Sequence, residues 1–180
     1  MKRRGMLGFY VGAGVVLALF VGGWFAWPTL KIWHWEVRLR SLVAQDRKEA
    51  PLTDFARGNE YMTKLACAGP QAYPAYERLL GVAAPAHKAQ MLEVAARNQA
   101  RWAIPLVVEM AEKGDAEVIS AAVEAAERLA DRDFFPRSSL SGVSLGAEFE
   151  WPAEEVSKGR RNLFSWWNRE GKAKYAGGGE

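Results

Sequence analysis

Between Ala116 and Asp131 the apolar residues recur at helical spacing with one dry side. Val118, Ile119, Ala122, Val123, Ala126, Leu129 and Ala130 share a face, opposite Glu117, Ser120, Glu124 and Glu127. One period earlier the pattern repeats: displaced by 31 positions, Leu92-Glu93-Val94-Ala95-Ala96-Arg97 falls on Val123-Glu124-Ala125-Ala126-Glu127-Arg128, and Tyr73-Pro74 falls on Ile104-Pro105. A period of that length with helical content throughout predicts stacked helix pairs. Gly69-Pro70, Pro74, Gly81, Pro85, Pro105 and Gly114-Asp115 punctuate the pattern, proline being tolerated in a first helical turn because the N–H it lacks has no helical partner there. The predicted helices run 31–48, 54–67, 71–80, 86–99, 103–113 and 116–131. Short connections make successive helices antiparallel neighbours, and inner faces rich in alanine (Ala95, Ala96, Ala121, Ala122, Ala125, Ala126) let their axes approach closely. Glu93 with Arg97, and Glu124 with Arg128, are expected to pair along the wet face.

The N-terminal pattern is different. Gly5 to Leu30 is a run of 26 uncharged positions, opened by Lys2, Arg3 and Arg4 and closed by Lys31. As a helix it is long enough for the ~30 Å hydrocarbon core, which predicts a transmembrane anchor. A cleaved signal peptide is the alternative, but bulky Trp24 precedes Ala26, leaving Val21-Gly22-Gly23 as the tolerable cleavage site. Within the run Gly14, Ala18 and Gly22, and separately Gly8 and Gly12, recur every four residues and form stripes on which a neighbouring helix could dock. Trp24, Trp27, Trp33 and Trp35 cluster where the chain would leave hydrocarbon, and indole favours that interface. A basic tail before the first apolar segment favours a cytoplasmic N-terminus, with the remainder outside the cytoplasm of a bacterial inner or intracellular membrane.

After Asp133 the period stops. Phe134-Phe135-Pro136, a Ser/Gly-rich stretch to Gly146 and Glu148-Phe149-Glu150-Trp151-Pro152 read as an extended connection or short hairpin. A last amphipathic helix follows near Ala153 to Gly171. Stacked repeats must cover the apolar face of the last unit, so this helix is expected to be a cap; the alternative makes Trp151, Trp166 and Trp167 an exposed partner-binding patch.

Charge changes the picture only when divided. Residues 1–50 carry eight Lys or Arg against three acids, 51–130 eight against ten, and 131–180 eight against eight, so the overall excess of +3 is N-terminal. That argues for an anionic membrane surface and against nucleic acid. Cys67 is the single cysteine, in apolar Leu65-Ala66-Cys67-Ala68, and is expected to be a small buried thiol; no internal disulfide is possible. His34 lies between two tryptophans and His87 near a helix start. Metal-ligand, dinucleotide and phosphate-loop spacings do not occur, and Glu154-Glu155 point to different sides of a helix, so neither catalytic residues nor a metal, cofactor or small-molecule substrate is expected.

Met62-Thr63-Lys64-Leu65-Ala66-Cys67-Ala68-Gly69-Pro70-Gln71-Ala72-Tyr73-Pro74-Ala75-Tyr76-Glu77-Arg78-Leu79-Leu80 resembles the first-helix end, G-P turn and second helix of HEAT repeats, particularly the short type found in phycobilisome lyases. The segments 86–113 and 116–131 resemble further units; Asp115 fits the inter-helix aspartate of such repeats and Ala84-Pro85 does not. The resemblance implies an α-solenoid whose concave or edge surface grips another protein. The expected architecture is all-α: tail and transmembrane helix over 1–30, juxtamembrane helix or linker over 31–53, HEAT-like repeats over 54–133, and a Trp-rich irregular connection and cap over 134–180. The expected function is that of a non-catalytic scaffold or accessory subunit of a membrane protein complex. The alternatives are a freestanding adaptor recruiting a soluble protein, and a lyase-like or chaperone factor acting on a cofactor-bearing client.

Overall fold

The computed structural model describes residues 23–24, 26–43, 52–135 and 151–175, and these are helical without a strand among them. Helix α1 spans 26–43. It is followed by α2 (Leu52–Cys67), α3 (Tyr73–Val82), α4 (Pro85–Arg97), α5 (Ile104–Lys113), α6 (Ala116–Ala130), α7 (Ala153–Trp166), a π-type turn (Trp167–Gly171) and the short α8 (Lys172–Tyr175). The 31-residue period of the sequence is present in the backbone. α5 is α3 displaced by 31 positions at both ends, and α6 starts 31 positions after α4. The 3₁₀ turns Pro70–Ala72 and Arg101–Ala103, which lead into α3 and α5, obey the same displacement.

A local device explains the regularity. α2, α4 and α6 each give way to a residue with left-handed backbone: Gly69 (φ 85°), Gln99 (φ 54°) and Asp131 (φ 54°). Glycine adopts that region without a Cβ clash, whereas the other two bear a cost of about 1–2 kcal/mol each. Helix-end hydrogen bonds hold them there. The Gln99 N–H donates to the Ala96 carbonyl at 3.1 Å and the Ala100 N–H to Ala95 at 2.9 Å, while the Arg132 N–H reaches the Glu127 carbonyl at 3.1 Å. Pro74 and Pro105 then occupy the first turns of α3 and α5, where no helical donor is lost.

Side-chain packing follows the same one-dimensional order. α4 supplies Met91, Val94 and Ala95 to a first core with Leu65, Tyr76, Leu79 and Leu80, and turns Leu92 and Ala96 into a second with Val107, Val123 and Leu129. Each end is covered. At the front α1 inserts Ile32, Leu39 and Val43 into the first core, the buried Glu36 carboxylate accepts two bonds from the Arg78 guanidinium at 2.7 Å, and the Ala84 N–H donates to the Val43 carbonyl at 2.9 Å. At the back α7 lays Leu163 and Trp166 on the second core. Gly159 allows the approach: a Cβ there would stand 3.0 Å from the Phe135 ring and 3.1 Å from Val123.

The structure corrects the expected transmembrane helix. Among the described residues no helix is long and apolar enough to cross a membrane. Positions 26–30, read from sequence as the end of a span, lie in α1, which goes on through Lys31, Glu36, Arg38 and Arg40 and buries one side in the first core. The last residues of the uncharged stretch therefore belong to a helix that carries charged residues and packs one side on the first core. The rest of that stretch, with Gly8, Gly12, Gly14, Ala18 and Gly22, lies outside the described residues, as do 44–48 of the expected helix 31–48 and the connection 136–150.

Candidate protein-binding edge

The side of the molecule formed by α3 and α5 gathers half-buried apolar groups under a fringe of charge. Tyr73 opens α3 and leans on the first core, and Met110 of α5 packs against both cores while remaining half-buried. Burial, then the charges of Glu77 and Glu109, push the Tyr73 phenol above its ordinary pKa. Their positions follow from helical geometry, Glu77 being one turn beyond Tyr73 and Glu109 one turn before Lys113, whose Nζ it accepts at 2.9 Å. Arg78, next along, is held by Glu36. Both cations of this edge are therefore engaged by acids, whereas Glu77 makes no ion pair among the described residues. The foundation is rigid: Tyr76 is fully buried and donates its hydroxyl to the Met91 carbonyl at 2.5 Å, its ring meets Trp102 edge-on at 5.5 Å, and the Trp102 indole N–H donates to the Ala66 carbonyl at 3.3 Å. Desolvation raises the Tyr76 phenol pKa well above its ordinary value, leaving it a neutral structural donor.

The residues singled out from sequence are distributed elsewhere. Trp24, Trp27 and Trp33 stand exposed, and Trp35 is half-buried against the first core. Trp151 stacks on Phe135 with centroids 4.1 Å apart, and its indole N–H donates to Glu124 Oε1 at 2.9 Å. Trp166 is buried, and Trp167 half-buried beside it at 6.2 Å between centroids. The back end thus spends much of its aromatic surface on α6. Glu124, expected to pair with Arg128, turns to Trp151 instead; burial raises its pKa while the indole bond and Arg128 lower it. Glu93 and Arg97 do pair, at 2.5 Å and exposed. Cys67 is exposed, correcting the expectation of a buried thiol, with Sγ 3.4 Å from Asn98 Oδ1 of the next repeat. His34 is exposed and His87 buried. Among the described residues no group of three or more His, Cys, Asp or Glu is arranged to hold a metal ion.

The Tyr73, Glu77 and Glu109 edge was not foreseen. Glu77 and Glu109 stand 32 positions apart, one more than the period, which makes buried Val108 and not Glu109 the equivalent of Glu77. Compared with protein-family models, curated proteins and solved structures, the chain finds no match.

Proposed function

We propose that this chain is a non-catalytic scaffold or accessory subunit, a short HEAT-like solenoid that holds a partner protein against the α3/α5 edge. The observation that carries the reading is a frame whose helices recur after 31 positions, with half-buried Tyr73 and Met110 packed on its cores and Glu77 exposed on α3. Repeating helical units tile a continuous surface, and half-exposed aromatic groups inside a charged rim are what protein interfaces use as anchors. Glu77, which makes no ion pair among the described residues, favours a partner that presents Lys or Arg to this edge.

The test is gentle purification of the full chain from its own cells, alongside a Glu77→Lys/Glu109→Lys variant. The wild type retains a companion protein in simple ratio, and the double reversal loses it while melting like the wild type, because both positions lie outside the two cores. A companion retained equally by both chains refutes the assignment of this edge.

A further inference from the structure

The front of the molecule carries an apolar surface that neither core uses. Trp24, Trp27, Leu30, Trp33 and Val37 are 73, 59, 53, 61 and 50 % exposed, and apart from Val82 they are the large apolar side chains exposed among the described residues. On α1 the last four lie away from Ile32, Leu39 and Val43, so the helix is apolar on both its buried and its outward side. The charge on this helix is one-sided. Lys31, Arg38 and Arg40 are exposed, and the sole acid of 26–43, Glu36, is buried and committed to Arg78. Lys31 lies over the Trp27 ring, 5.3 Å from its centroid.

From these observations we infer that the outward face of α1 lies in the headgroup region of an anionic lipid surface. Indole has an apolar body and one N–H, which suits the boundary between acyl chains and headgroups, and the exposed cations supply the opposite charge to phosphate. A second copy is a poor occupant: a two-fold contact would set Lys31, Arg38 and Arg40 against themselves. The inference does not rest on the partner edge: the exposed face of α1 contains none of Tyr73, Glu77 and Glu109, and the link between the two runs through Arg78 and the buried Glu36.

The experiment uses the full chain mixed with phosphatidylcholine vesicles, with and without phosphatidylglycerol, containing a lipid brominated near the top of its acyl chains. Tryptophan emission is quenched by the brominated lipid, more strongly with phosphatidylglycerol present, and a Trp24→Phe/Trp27→Phe/Trp33→Phe chain loses more than half of that quenching while its thermal melt is unchanged. Quenching that survives the triple substitution, or rings as open to aqueous iodide with vesicles as without, overturns the inference. So does a Leu30→Cys/Cys67→Ser chain that crosslinks efficiently to itself while escaping the brominated lipid, which would give the face to a second copy.

Discussion

Two glycines in helices, Gly81 in α3 and Gly159 in α7, make the same substitution a test of packing. A Cβ added at Gly81 meets nothing within 4 Å, whereas one added at Gly159 meets two carbons of the Phe135 ring at 3.0 Å and Val123 Cγ1 at 3.1 Å. Replacing glycine by alanine inside a helix gains about 1 kcal/mol from backbone entropy at either site. At Gly81 that gain stands alone. At Gly159 it is opposed by overpacking of about 1–3 kcal/mol, because Phe135 is itself stacked on Trp151 at 4.1 Å and bounded by the second core. Gly81→Ala should therefore stabilise by up to about 1 kcal/mol and Gly159→Ala should range from neutral to about 2 kcal/mol destabilising. For a chain of this size the two Tm values should differ by about 3–10 °C. Gly159→Val adds two methyl groups to the same gap and should fall lower still. Circular dichroism melts of the full chains read this directly. If Gly159→Ala melts with or above Gly81→Ala, the close seating of α7 on α6 is wrong.

Two further outcomes follow from buried charges. Burial raises the Glu124 pKa, so the folded chain holds that proton more tightly than the unfolded one; stability from this group grows as pH falls through the raised value towards 4.5 and is lost as pH climbs back. Glu124→Gln, which keeps an acceptor for the Trp151 indole, should flatten urea midpoints across that window, and an unchanged slope would refute the burial argument. Arg78→Ala strands the buried Glu36 carboxylate, and with Arg78 itself half in solvent the cost should be about 1–2 kcal/mol, visible as faster amide exchange in 26–43 ahead of the rest; uniform exchange across the chain would show that α1 is held by something else.

The repeat was legible in the sequence because it is written in local signals. The match of Leu92–Arg97 to Val123–Arg128 and the pair Pro74 and Pro105 reappear as the displaced starts of α4 and α6 and of α3 and α5. What local periodicity cannot carry is contact between distant segments. Trp151 takes Glu124 away from Arg128 across a separation of 27 residues, and Arg78 takes Glu36 across 42. Cys67 looked buried from its apolar neighbours, yet it is the last residue of α2 and faces outward, where its helix turns away. The N-terminal run misled for a related reason. Its last residues, Trp27 and Leu30, share one helix with Lys31, Arg38, Arg40 and the buried Glu36, which the run by itself does not show.

The central claim is that this chain works by holding another protein, and the mass of the intact particle tests it most directly. Native mass spectrometry of the full chain, released from its own cells under mild conditions, should show one companion protein in fixed ratio, and that companion should be absent from the Glu77→Lys/Glu109→Lys particle. A wild-type spectrum containing only free single chains would contradict the account.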